Sequence, residues 1–146
     1  YIMDINTNEY IETNLYPYGD KVTYLKGESA DSFKQFEHLG ETKEFLDFVY
    51  IDANHTYEGV KEDIKYWYPK VKPGGLLLGH DYLPNDMYND DRKDLPIYMY
   101  ANSNPDEVNY AGMFGVNPAV NEFAEENNYV VNQTDEWLGT WWIKKV

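Results

Sequence analysis

Short apolar blocks and helical stripes take turns along this chain. Leu46 to Ile51 is apolar or aromatic except at Asp47, and is short enough for a strand buried on both faces. It ends in Asp52. From Thr56 to Val71, Val60, Ile64, Trp67 and Val71 recur at helical spacing with Glu58, Lys61, Glu62, Asp63 and Lys65 between them. Thr56 suits an N-cap, and Pro73-Gly74-Gly75 suits a stop. Leu76-Leu77-Leu78 opens a second buried strand ending in Gly79-His80-Asp81. Strand, helix and strand with short connections predict a parallel, right-handed crossover.

The same alternation runs through the rest. Tyr1 to Ile5 reads as the end of a strand, Asn8 to Leu15 as a short helix, and Tyr16 to Asp20 as a turn. Val22 to Leu25 is a second strand. Ala30 to Leu39 carries Phe33, Phe36 and Leu39 on one helical face, and Gly40 ends it. The order β-α-β-α-β-α-β predicts an α/β fold with a mostly parallel, doubly wound sheet. Val116 to Asn127 reads as a helix with Pro118 in its first turn. Tyr129 to Val131 and Thr140 to Ile143 are predicted strands of an antiparallel hairpin closing the sheet. Trp67, Trp137, Trp141 and Trp142 are expected to pack the core and the hairpin. Residues 83–113 lack periodicity and are rich in Asn, Asp and Pro, so they read as an insertion, either an exposed one or a substrate lid. The expected organisation is therefore a single domain over residues 1–146 carrying that insertion.

Charge narrows the partners. The 146 residues carry a formal net charge of −14, which argues against nucleic acid and against an anionic membrane surface. The absence of cysteine removes disulfides, thiolate zinc sites and thiol nucleophiles, and fits a reducing, cytoplasmic compartment. No segment is long and apolar enough to span a bilayer. A small-molecule substrate is the expected partner, and oligomers stay open.

In open α/β sheets, ligands bind at the edge where parallel strands end. Asp52, His55, His80 and Asp81 gather on that edge, with two of the chain's three histidines among them.

Residues 48–81 resemble the class I S-adenosylmethionine-dependent methyltransferases, and most of all their metal-assisted O-methyltransferase subgroup. The resemblance rests on an apolar strand, D-x-x-H-x-Y at Asp52 to Tyr57, a helix, Pro73-Gly74-Gly75, a strand, and His80-Asp81. The closing hairpin through TWWIKK is similar too. The resemblance implies a Rossmann-like sheet, S-adenosylmethionine as cofactor, a small hydroxyl compound or sugar as acceptor, and Mg2+ or another divalent cation. It implies that Asp4 accepts from the cofactor ribose, that Gly27, Glu28 and Ser29 hold the adenine, that Asp52 belongs to the cofactor set, and that His55 is the general base. A strand-end acid can also cap a helix. His55 can instead bond the backbone at a helix start, and His80 can contact substrate.

Two carboxylates on adjacent parallel strands, about 4.8 Å apart, repel unless a cation or proton intervenes. Asp52, Asp81 and His80 are thus the expected metal ligands, a set suited to magnesium, manganese or iron(II). Some metal-dependent relatives carry Asp-Asn where this chain has Asp81-Tyr82. The family's glycine-rich turn, expected about 20 residues before Asp4, and its first strand have no counterpart in this chain. The sequence is therefore expected to be the C-terminal part of a longer chain, with a non-catalytic methyltransferase-like binding module as the alternative.

Overall fold

The computed structural model describes residues 1–4, 13–14, 16–38, 44–82, 115–136 and 138–146. The strands are β1 (Ile2–Asp4), β2 (Tyr24–Lys26), β3 (Leu46–Ile51), β4 (Val71–Tyr82), β5 (Asn132–Gln133) and β6 (Gly139–Lys144). The helices are α1 (Ser29–His38), α2 (Tyr57–Trp67) and α3 (Val116–Asn127), with 3-10 turns at Tyr16–Lys21 and Tyr68–Lys70. The insertion at 83–113 and most of the Asn8 to Leu15 helix lie outside the described residues, and so do Trp137 and Leu39.

α2 starts where its cap dictates: the Thr56 hydroxyl accepts from the Gly59 amide at 3.1 Å. It buries Val60, Ile64 and Trp67. It stops four residues before the expected Val71, because Pro69 has no amide to continue the ladder and the chain tightens into a 3-10 turn. Val71 instead opens β4. Pro73-Gly74-Gly75 is a loop-out within that strand: β4 advances from Val71 to Leu76 while β3 advances only from Leu46 to Phe48. Gly74 takes a φ of +79° that favours glycine, and its amide donates to the Lys145 carbonyl at 2.7 Å.

β3 and β4 are parallel, as expected of a crossover unit. β6 adds antiparallel to β4, and β5 antiparallel to β6, giving the order β3-β4-β6-β5. β5 begins later than expected. Tyr129 packs in the aromatic cluster with Tyr68 and Phe123, and the polar pair Asn132–Gln133 takes the ladder positions beside Trp142 and Trp141. β1 and β2 form a separate parallel pair. The described strands thus make two sheets rather than one.

One face of the larger sheet carries Val49, Ile51, Leu77, Trp141 and Ile143. Val60 and Ile64 of α2 and Val116, Ala119, Val120 and Ala124 of α3 cover it. α1 packs beside α2, with Phe36 and Trp67 meeting edge to face at 5.5 Å. The opposite face holds the cross-strand rows Phe48–Leu76–Lys144 and Tyr50–Leu78–Trp142. There the expectation of a strand buried on both faces fails: Phe48 is 62% exposed and Tyr50 46%. α2 and α3 cover the other face, and among the described residues no helix is packed on this one. Exposed apolar faces of this kind favour association. Phe48→Thr with Tyr50→Thr is expected to reduce binding of an apolar-surface dye and self-association, with stability changed by less than about 0.5 kcal/mol. Unchanged dye binding would mean that the face is covered in solution.

No helix among the described residues is long and apolar enough to cross a membrane.

Candidate active site

The edge where β3 and β4 end together brings four of the expected residues to one place. Asp52 follows β3 directly. The next residues turn tightly: Asn54 Oδ1 accepts from the Thr56 amide at 3.0 Å, an Asx turn that leads into the α2 cap. Gly59 lets this turn lie against the helix, since a Cβ there would stand 2.8 Å from Asn54 Cγ. The turn presents His55 back towards the strand ends. Its carbonyl accepts from the Gly115 amide at 2.7 Å.

β4 delivers His80 and Asp81 through an irregularity. Its pairing with β6 runs regularly to Gly79↔Trp141, shifts, and resumes at Tyr82↔Gly139. Within that bulge Asp81 adopts a φ of +58°, a left-handed conformation costing a non-glycine residue about 1–2 kcal/mol. The side chain is 9% exposed and its carboxylate meets both histidines. Asp81 Oδ2 lies 3.0 Å from His55 Nε2, and Asp81 Oδ1 lies 3.5 Å from His80 Nδ1. His55 Nε2 is also 3.3 Å from Asp52 Oδ1. One ring nitrogen therefore faces two carboxylates that end neighbouring strands. Asp52, His80 and Asp81 offer ligand atoms that all lie within 4.8 Å of one another.

Tyr82, at the position where some relatives carry asparagine, is turned away from this cluster. It is buried, and its hydroxyl donates to Asn121 Oδ1 of α3 at 3.0 Å. The Asn121 amide in turn donates to Asn117 Oδ1 at 2.8 Å. Burial pushes the Tyr82 phenol above its usual range. Gly79, just before the bulge, has no room for a side chain: a Cβ would stand 2.4 Å from the Ile51 carbonyl and 2.8 Å from Trp141 Nε1.

The expected cofactor residues of the first sheet sit together as well. Asp4 ends β1 beside Lys26 of β2, and the Gly27 amide donates to the Asp4 carbonyl at 3.0 Å. Glu28 precedes α1, its carbonyl accepting from the amides of Asp31 and Ser32. The Ser29 side chain is engaged elsewhere: its hydroxyl accepts from Trp67 Nε1 at 2.9 Å and bonds the buried Asp63 carboxyl. What Ser29 can offer a ligand is its first-turn amide, which needs no helical partner.

Burial raises the Asp63 carboxyl above its usual range, with the Ser29 bond opposing. A raised native pKa means the charged form is disfavoured in the fold, so this penalty is present at neutral pH and vanishes as pH falls through the carboxylate range. Asp63→Asn is therefore expected to melt higher than the parent at pH 7, with the gap closing in acid. A constant gap across pH would exclude the buried charge as its source.

The strand-end acids were legible from sequence. The left-handed Asp81, the Asn54 turn and the Tyr82–Asn121–Asn117 chain were not; the sole signal was a polar Asn pair at i and i+4 on an otherwise apolar helix stripe.

A model of a methyltransferase domain family matches residues 2–82, the stretch that carries both strand pairs and all the clustered residues. The chain belongs to this methyltransferase family. Solved structures agree on the fold. The O-methyltransferase from Bacillus cereus in complex with SAH (S-adenosylhomocysteine) is similar at 18% identity and a TM-score of 0.65, over 98% of this chain and 62% of that one. An O-methyltransferase family protein from Burkholderia thailandensis is 19% identical with a TM-score of 0.62, over 92% of this chain and 39% of that one. The MycE methyltransferase of the mycinamycin biosynthetic pathway, in complex with Mg, SAH and mycinamycin VI, is 13% identical with a TM-score of 0.55, over 98% and 35%. This methyltransferase chain thus spans less than two thirds of the length of these relatives. No curated protein matches it.

Proposed function

We propose that this chain serves to transfer the methyl group of S-adenosylmethionine to a hydroxyl of a small molecule or sugar, assisted by a divalent cation. The observation that carries this reading is the convergence of Asp52 and Asp81, from two adjacent strand ends, on the His55 imidazole. The likeness to O-methyltransferases supports the reaction class.

With S-adenosylmethionine bound, the acceptor oxygen would take the methyl group as the carbon–sulfur bond breaks, its electron pair going to sulfur and leaving SAH. The hydroxyl proton has to leave. Carboxylates only accept, so His55 Nε2 faces both of them as a donor, and the imidazole is the proposed acceptor of the substrate proton. Asp52 and Asp81 orient the ring, as the acid of a catalytic triad does.

Asp52, His80 and Asp81 fit a cation. Their ligand atoms, within 4.8 Å of one another, are near the roughly 4.2 Å that an ion bonding opposite ligands at about 2.1 Å spans. Two carboxylates and one imidazole suit magnesium, manganese or iron(II). A bound cation would lower the acceptor hydroxyl's pKa and stabilise the developing oxyanion. Asp4, Gly27, Glu28 and Ser29, gathered at the end of the first sheet, are proposed to hold the ribose and adenine of the cofactor.

Methyl transfer to a panel of phenols and sugars, with and without Mg2+ and with a chelator, tests this. Turnover that needs the metal is the expected result; turnover that survives chelation removes the metal role. The second reading, a methyltransferase-like binding module without catalysis, is favoured by the division of the strands into two sheets. Calorimetry with SAH and each candidate acceptor separates the two: binding without turnover favours the module.

A further inference from the structure

A left-handed Asp81 persists only if its surroundings hold it there. Before it, the ladder pins Gly79 to Trp141. After it, Tyr82 pairs with Gly139 in the ladder, and its hydroxyl on Asn121 adds an attachment to α3. His55 lies on a turn outside any strand. Its carbonyl accepts from the Gly115 amide, which ties the turn to the start of α3. Both attachments come from the first two turns of α3. Gly115 caps that helix and packs so closely on Tyr57 that a Cβ would stand 2.1 Å from the Tyr57 amide nitrogen. Asn117, 3% exposed, locks the Asn121 amide so that its oxygen is the atom turned to Tyr82.

We infer that the first two turns of α3 are a clamp that sets the His55–Asp81 geometry, with Tyr82 and Gly115 as its positioning residues. This rests on the proposed site, but it assigns roles to residues outside the ligand and base set. Tyr82 touches neither metal nor substrate in this scheme; it acts through Asp81.

The test is Tyr82→Phe, which deletes one hydroxyl and keeps the ring. Three quantities are measured on each protein: the Mn2+ dissociation constant by electron paramagnetic resonance, the histidine ring nitrogen signals by NMR, and the melting temperature. Tyr82→Phe is expected to weaken Mn2+ about tenfold, the low end for residues that orient metal ligands, and to shift the His55 and His80 ring signals. Asn121→Ser should do the same, and combining the two should add little, since they break one contact. A merely structural hydroxyl would lower the melting temperature and leave the Mn2+ constant and ring signals alone, and that result would overturn the clamp. Should Tyr82→Phe fail to fold, Asn121→Ser is judged by the same signals. If the parent itself takes up no Mn2+, the metal reading fails, and the ring signals alone still decide the clamp.

Discussion

His55→Ala is expected to lower turnover by about 10²- to 10⁴-fold, the usual contribution of a positioned base, while leaving affinity for SAH unchanged. The separation follows from where the residue stands. His55 meets Asp52 and Asp81 at the ends of β3 and β4. The residues proposed to hold the cofactor's ribose and adenine stand at the ends of β1 and β2, joined through the Asp4 carbonyl and Gly27 amide. Removing the imidazole takes away the proton acceptor and leaves the first sheet intact. It also leaves the two carboxylates facing each other without a ring nitrogen between them, so the loss should be eased by higher Mg2+. Steady-state kinetics with calorimetry checks this. A parallel fall in SAH affinity would make His55 a structural residue of the α2 start.

Gly79→Ala is expected to destabilise the fold by about 3 kcal/mol, the upper range for forcing extra volume into a packed interior. A Cβ at 79 would stand 2.4 Å from the Ile51 carbonyl and 2.8 Å from Trp141 Nε1. Neither neighbour can retreat. Ile51 is held in the β3 ladder, and Trp141, wholly buried, fills the core between the sheet and α3. Among the described residues the Trp141 indole N–H has no hydrogen-bond partner. The strain falls one residue before the bulge that turns Asp81, and Mn2+ binding should weaken along with the denaturation midpoint. A midpoint within about 0.5 kcal/mol of the parent would show that β4 can move away from β3 here.

What the sequence displayed was set by short-range rules. The block Leu46 to Ile51 and the stripe Val60, Ile64, Trp67 announce their elements because strand and helix periods differ. α3 occupies Val116–Asn127, as its periodicity and Pro118 predict. Where packing and pairing part company, the reading slips. Tyr129 is apolar enough to look like a strand residue, yet it packs on Tyr68 and Phe123 while Asn132 and Gln133 make the ladder. Val71 continues the helical stripe in sequence, but Pro69 had already ended the helix. Hydrophobic runs also say nothing of how many layers will arrive to cover them, hence the exposed Phe48 and Tyr50.

The site divides the same way. Strand order alone places Asp52 and Asp81 side by side, because parallel strands end on one edge. The left-handed backbone that aims Asp81 is written in no glycine or asparagine, and it depends on contacts from β6 and α3. The double contact of His55 depends on the Asn54 turn and on Gly115, far apart in the chain.

The direct measurement is Mn2+ titration of the parent, Asp52→Asn and Asp81→Asn, followed by electron paramagnetic resonance. If the two strand-end acids share an ion, the parent takes up one Mn2+ per chain and each single substitution weakens it at least about tenfold. A variant of either position that keeps the parent's affinity would contradict a common cleft for the two strand ends.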